Sequence, residues 1–326
     1  MKFFVAMLLF VLNIMALNFD TTEGSGLTLS LMDSDTNETS TVQKEIHSKH
    51  GFFGFEAYEK NFFMPFAYNK DKPPRVFKAL PAGTIDDNFY PEYDSHVEIE
   101  YQFSLNKQVS YDLLGFKEYL YFAYTQKSWW QAYIDSAPFR ETNYKPEVYL
   151  LFPASQKMNE DIGLKRWQLG FMHESNGQEG FQSRSWNRFY LTGHWQFGNL
   201  FLSTRAWYKL PETDKQAGFD DPTSPNFNPN DKGDDNADIS EYLGYGDLKF
   251  HYLYDDIQLD LLVRNNLRFN SQNKGAYEFG FLKPITGSKS TYWYVEVFYG
   301  YGASLIDYNR EVTKISAGFA FSRGLF

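Results

Sequence analysis

Residues 97–106 read VEIEYQFSLN, and their alternation decides the fold. Val97, Ile99, Tyr101, Phe103 and Leu105 share one parity; Glu98, Glu100, Gln102, Ser104 and Asn106 share the other. A β-strand sends successive side chains to opposite faces, so this segment has one apolar and one polar face. The same period returns downstream. Phe189, Leu191, Gly193, Trp195 and Phe197 alternate with Arg188, Tyr190, Thr192, His194 and Gln196. Ile257, Leu259, Leu261 and Val263 alternate with Gln258, Asp260, Leu262 and Arg264, and Ile315, Ala317, Phe319 and Phe321 with Lys314, Ser316, Gly318 and Ala320. A soluble sandwich would turn the apolar face inward; a transmembrane barrel turns it to lipid and lines its lumen with the polar face. Strand length favours the barrel, because 117–130 reads as one strand and ordinary strands average about 5–6 residues.

Composition agrees. Of 326 residues 19% are aromatic, with 32 Phe, 24 Tyr and 7 Trp. A barrel uses such rings as girdles at both membrane interfaces. The mean hydropathy of -0.50 does not oppose this, because the polar parity dilutes the apolar one. Met1-Lys2 precedes an apolar run from Phe3 to Leu17, broken by Asn13, which reads as a signal peptide over 1–17, with an uncleaved anchor as the alternative. Beyond it no apolar run reaches the roughly 18 residues of a spanning helix. The chain has no Cys, hence no disulfide framework and no thiolate chemistry. Its net charge of -10 argues against a nucleic-acid partner.

The alternation yields twelve candidate strands: 61–69, 96–106, 117–130, 145–155, 164–175, 187–198, 199–210, 240–253, 256–268, 275–284, 289–302 and 312–325. The expected fold class is all-β, a 12-stranded antiparallel transmembrane β-barrel over 53–326 in the outer membrane of a Gram-negative bacterium. Residues 18–52, rich in Asp, Glu, Ser and Thr, read as a short N-terminal periplasmic arm. The longer connections, 70–95, 131–144, 176–186, 211–239, 269–274 and 303–311, fall on the extracellular side. Tight turns at Gly198-Asn199, Tyr254-Asp255 and Thr286-Gly287 fall on the periplasmic side. The segment near 107–116 is longer and reads as room for a short helix. The final Phe326, behind Phe319 and Phe321, suits the last strand of a barrel.

The chemistry lies in WQLGFMHESNGQ (167–178). Trp167, Leu169, Phe171, His173 and Ser175 share the apolar, lipid-facing parity. Two residues apart on a strand, His173 and Ser175 have Cα atoms roughly 6.5–7 Å apart, within side-chain reach. An imidazole beside a hydroxyl is the acid–base and nucleophile pair of a serine esterase. The return strand begins SRSWNRFY (183–190), and Asn187 has the parity of Phe189 and Leu191. A hairpin symmetric about residue 180 brings Asn187 beside His173, where its carbonyl can accept from the second imidazole nitrogen. A neutral amide is also less costly than a carboxylate facing hydrocarbon. Spacing alone leaves Ser183 and Ser185 open as nucleophiles, and leaves open that all three polar groups are simply solvated among headgroups.

HESNGQ followed by SRSWNRFY closely resembles the active-site hairpin of the outer-membrane phospholipase A family. YTQKSWWQ (124–131), SAPFRETNY (136–144) and YGASLIDYN (301–309) are similar to further motifs of that family, in the same order, over about 53–326. The resemblance implies a calcium-dependent phospholipase A1/A2, acting on sn-1 and sn-2 acyl esters of phospholipids and lysophospholipids as a homodimer. It implies Ser175 as nucleophile, His173 as general base, Asn187 as orienting residue and the Gly177 N–H as oxyanion donor. It further implies calcium ligands at Ser183, at the carbonyl of Gln178, at the carbonyl of Ser136 from a second subunit, and at Asp235 for an adjacent site. The sequence departs from the family at Gln178, an Arg in members, and at Gly180-Phe181, an Asp-Pro pair in members.

Gln126 shares the lipid-facing parity of Leu120, Phe122, Tyr124 and Ser128. An unpaired amide in hydrocarbon is unfavourable by several kcal/mol, and a second subunit could satisfy it. The resemblance agrees, placing a dimer-contact glutamine here. The acid-rich loop 211–239 reads as a solvated loop, with Asp235 the candidate exception, and no His is expected to bind metal. Two other functions remain: a porin-like channel, although Arg188, His194, Asp260 and Arg264 are expected to fill so narrow a lumen, and a lipid A deacylase using similar His/Ser chemistry.

Overall fold

The computed structural model describes residues 54–73, 95–228, 230–288 and 290–325. The expected signal segment 1–17, the arm 18–52 and the terminal Phe326 lie outside the described residues. The strands are β1 (Glu56–Ala57), β2 (Phe62–Asn69), β3 (Val97–Tyr111), β4 (Tyr119–Trp130), β5 (Phe139–Pro153), β6 (Leu164–Ser175) and β7 (Ser185–Phe197). They continue as β8 (Leu200–Lys209), β9 (Gly246–Tyr254), β10 (Ile257–Asn265), β11 (Gly275–Pro284), β12 (Tyr292–Gly300) and β13 (Val312–Ala320). Each of β2–β13 pairs antiparallel with the next, and β13 returns to β2. The result is a closed barrel of twelve strands, with the two-residue β1 laid against Asn106 and Leu105 of β3. Closure leaves no open edge, which a sheet surrounded by hydrocarbon cannot tolerate.

The polarity is inside out, as the alternation requires. Along β12 every second residue is buried: Tyr294 and Glu296 point in, while Trp293, Val295, Val297 and Tyr299 are exposed. A buried Glu296 at 1% exposure between valines at 37% and 40% excludes the soluble sandwich, whose core would hold the valines. The lumen is packed with paired charges. Arg140 bridges Glu98 at 2.9 Å and Asp307 at 3.4 Å, and Lys314 pairs with Glu100. The chain before β2 runs into this interior: Tyr58 stacks on Tyr149 at 5.6 Å, and Lys60 Nζ meets Asp260 Oδ2 at 2.5 Å. What remains is a cavity of about 240 Å³, lined among others by Arg188, His194, Asp260 and Arg264.

Some boundaries differ from the sequence expectation. No helix occupies 107–116; β3 runs through to Tyr111, because its pairing with β4 continues to Tyr111–Tyr119. The short helix lies instead between β5 and β6, as α1 (Gln156–Ile162), with the Ser155 hydroxyl accepting from Met158 N and Gly163 closing it at φ 69°. β5 begins at Phe139, not 145: its polar start reads as loop, but Phe139 stacks on Trp130 at 5.4 Å and Arg140 reaches Glu98. A second helix, α2 (Ile239–Leu243), takes residues expected at the start of β9. The turn after β9 is Asp255-Asp256, one residue later than read, with Asp255 at φ 50°.

Candidate active site

The β6–β7 register pairs His173 with Asn187, Glu174 with Trp186 and Ser175 with Ser185, so the hairpin is symmetric about residue 180 as expected. His173, Ser175 and Asn187 are half-buried on the outward face, in line with Leu169 and Phe189, which are exposed to the bilayer. His173 Nδ1 lies 2.9 Å from Asn187 Oδ1. An amide oxygen only accepts, so Nδ1 donates and Nε2 keeps its lone pair. Ser175 follows two residues on, at the end of β6. On the other side of His173, the pairing of β5 with β6 lapses between Tyr144–Ser175 and Glu147–Met172. Pro146 lies in that gap and has no N–H to give the ladder.

The turn after Ser175 is shaped by Asn176, which sequence reasoning passed over. Asn176 is 2% exposed, and its Oδ1 accepts from Gln178 N at 3.2 Å and Arg184 N at 3.0 Å. Its Nδ2 donates to Gln182 O at 2.8 Å and to Glu141 Oε2 at 3.4 Å. The Asn-Gly pair was the available signal, since Asn side chains fold turns around their own backbone. Gly177 follows at φ 64°, and a Cβ there would stand 3.0 Å from the Tyr144 ring, so both conformation and space call for glycine. Glu141 also accepts from Asn143 Nδ2 at 2.5 Å and Ile306 N at 3.1 Å, and Asn143 Oδ1 from Leu305 N at 3.0 Å. The segments 136–144 and 301–309 thus brace the site from the lumen.

Of the expected calcium ligands, the structure brings Ser183 and Asp235 together: Ser183 Oγ donates to Asp235 Oδ2 at 2.6 Å. The second oxygen of Asp235 pairs with Lys215 Nζ at 2.7 Å. Gln178 stands in the same turn, while Ser136 is exposed on the β4–β5 loop at φ 62°. Among the described residues no three acidic or histidine side chains form a metal cage. A hydroxyl, a carboxylate and backbone carbonyls nonetheless suit a hard cation that prefers oxygen. The departure at Gly180-Phe181 is accommodated by a single 3-10 turn, Gly180–Gln182, with Gly180 at φ 62°. The Phe181 ring rests near Phe219 and Phe227 of the β8–β9 loop, at 6.2 and 6.3 Å.

Gln126 faces outward, but its amide is engaged within its own strand. Tyr124 Oη donates to Oε1 at 3.0 Å, and Nε2 donates to Ser128 Oγ at 3.3 Å. These bonds engage its carbonyl and one of its two N–H groups.

Comparison with known proteins bears on this geometry. The family model described as phospholipase A1 matches residues 39–321. A putative phospholipase A1 of Neisseria meningitidis is 34% identical over 83% of this chain and 66% of its own length. The phospholipase A1 of Proteus vulgaris is 32% identical over 82% of this chain and 81% of its own. Among solved structures, outer membrane phospholipase A from Escherichia coli matches with a TM-score of 0.68 and 30% identity, over 86% of this chain and 96% of that one. The Salmonella typhi outer membrane phospholipase dimer with bound calcium matches with the same TM-score at 29% identity, over the same shares of the two chains. The closed twelve-stranded wall, its inside-out polarity and these matches converge: the chain is an outer-membrane β-barrel and belongs to the phospholipase A1 family.

Proposed function

We propose that this chain is a calcium-dependent phospholipase that hydrolyses sn-1 and sn-2 acyl esters of phospholipids, and of lysophospholipids, with Ser175, His173 and Asn187 on the lipid-facing wall. The observation that carries the reading is the 2.9 Å bond between His173 Nδ1 and Asn187 Oδ1, made on the outward face two residues before a serine. It leaves Nε2 free to take the Ser175 proton as Oγ attacks the ester carbonyl carbon. The imidazolium then returns that proton to the glycerol oxygen as the C–O bond breaks, leaving an acyl-Ser175. Water, deprotonated by the same nitrogen, releases the fatty acid. The Gly177 N–H donates to the developing oxyanion.

With Asp235 serving an adjacent site, the Ser183 hydroxyl and the Gln178 carbonyl would hold calcium, joined by the Ser136 carbonyl of a second copy. Bound there, the cation supplies positive charge beside the oxyanion. The chain acts as a homodimer, since a site open to the bilayer lacks one wall until a second barrel covers it. The Salmonella relative is a dimer with calcium, and the exposed Ser136 loop is consistent with donation to a neighbour.

The experiment is release of fatty acid from phospholipid vesicles by the purified barrel. Wild type should be active with calcium and silent in EDTA, and Ser175→Ala should be silent in both. Release by Ser175→Ala would sink the reading. Mass spectrometry after incubation with both phospholipid and lipid A identifies the ester actually cut, and planar-bilayer recording should find no steady conductance through so filled a lumen.

A further inference from the structure

Asn187 has a second bond that the triad does not use. Its Nδ2 donates to Glu212 Oε1 at 3.1 Å. Glu212 reaches it because β8 continues past its last strand residue: Leu210 N donates to Asn187 O at 2.8 Å, extending the register in which Arg188 faces Lys209. Tyr208, Leu210 and Glu212 share one parity, and Tyr208 is 64% exposed on the outward wall. Glu212 therefore approaches from the same side of the barrel as His173, Ser175 and Asn187.

A neutral amide has a weakness as an orienting group. Its oxygen and NH2 are nearly equal in size, and a half-turn exchanges them. Turned the wrong way, Asn187 would offer Nδ2 to His173 Nδ1. It would then favour the tautomer with hydrogen on Nε2, which cannot accept the serine proton. A carboxylate orienting group has no such ambiguity, because both of its oxygens accept. An amide needs a third party that accepts only from its nitrogen side, and an ionised carboxylate does that.

We propose that Glu212 is the positioning residue of this site. It holds the Asn187 amide with Oδ1 toward His173, and its negative charge favours the imidazolium formed during attack. The line Glu212–Asn187–His173–Ser175 thereby regains the charge that an Asp would have supplied directly, with the carboxylate set back behind the amide. This deepens the triad reading proposed above and rests on it.

The experiment compares Glu212→Ala, Glu212→Gln, Asn187→Ala, Glu212→Ala with Asn187→Ala, and Ser175→Ala. All are refolded barrels whose heat-modifiable gel mobility reports folding. In Glu212→Ala, kcat should fall roughly tenfold with KM unchanged, the low end of the loss when a partner that orients a functional imidazole is removed. The acid limb of the kcat/KM profile should move to lower pH, because a negative charge beside the imidazolium formed during attack is removed. Glu212→Gln should move the limb equally and lose less kcat, since its amide can still accept. In the Asn187→Ala background, Glu212→Ala should add less loss than it causes alone, because only its charge effect remains, and the calcium midpoint should stay at the wild-type value throughout.

An unshifted acid limb in both Glu212 variants overturns the proposal. So does a full, additive loss on top of Asn187→Ala, or a moved calcium midpoint, which would make Glu212 a calcium ligand. Should Glu212→Ala fail to fold, the limb of Glu212→Gln decides. Activity surviving in Ser175→Ala defeats the triad reading itself, whereas a silent Ser175→Ala beside unaffected Glu212 variants defeats only this inference.

Discussion

On the outward face of the β6–β7 hairpin, His173, Ser175 and Asn187 stand half-buried, with Asn187 held to His173 and to Glu212. On the inward face of the same two strands, Glu174, Trp186, Arg188 and Tyr190 are buried and held by polar partners. Glu174 accepts from Trp186 Nε1 at 3.0 Å and meets Arg188 at 2.9 Å and Lys145 at 3.3 Å, and the Arg188 guanidinium lies 3.8 Å from the Trp186 ring centre. Tyr190 Oη donates to Glu147 Oε2 at 2.6 Å. A reactive group must keep hydrogen-bonding capacity for substrate, so it is left under-bonded. A bracing group does its work by using that capacity up. One backbone therefore carries the proposed chemistry outside and rigidity inside, one residue apart.

That division should separate activity from stability. Ser175→Ala should lower phospholipid hydrolysis by about 10⁴-fold or more, the scale seen when a triad nucleophile is removed. Its unfolding free energy in detergent should stay within about 0.5 kcal/mol of wild type. Glu174→Ala, one position away, should do the reverse. It leaves the buried Arg188 without its 2.9 Å partner and should destabilise the barrel by about 3–5 kcal/mol. Activity per folded molecule should then be nearly kept. Urea titrations of both variants, read by gel mobility, check the pair; equal stabilities would erase the distinction between the faces.

The sequence carried this division only in part. Parity was legible because every barrel strand repeats it, and parity alone put His173, Ser175 and Asn187 on one face. The start of β5 was not legible. Arg140, Glu141, Thr142 and Asn143 are polar on both parities, so alternation disappears where Glu141 and Asn143 serve the loops behind the site. Helix α1 has no buried residue and so no periodicity, although its caps at Ser155 and Gly163 were readable. Glu212 was hidden for another reason: it meets Asn187 across 25 residues of chain, beyond any local pattern.

Gly177 sits in the turn that follows β6, between the hairpin's two strands, which makes it a sharper probe. Gly177→Ala must hold a side chain at φ 64° and place its Cβ 3.0 Å from the Tyr144 ring. Stability should fall by about 1 kcal/mol. Activity should fall by roughly 10²-fold if the turn that aims the proposed oxyanion donor shifts. A variant losing stability alone would detach Gly177 from the reaction.

The smallest expected effect concerns Gln126, where the outward wall carries a polar group bonded to its strand neighbours. Tyr124 engages its carbonyl and Ser128 one of its two N–H groups, and the other N–H is what a second barrel would meet. Gln126→Leu should leave the monomer's unfolding within about 0.5 kcal/mol of wild type, because an apolar residue of similar size replaces a side chain bonded only to its strand neighbours. If the amide also reaches across an interface, the dimer should lose about 0.6 kcal/mol, roughly threefold in its association constant, the average for polar contacts between membrane segments. Cross-linking of the refolded protein with calcium across a dilution series measures that constant. A threefold drop with an unchanged monomer would make Gln126 a contact added to a complete wall; an unchanged constant would leave it a girdle residue like Tyr124 beside it.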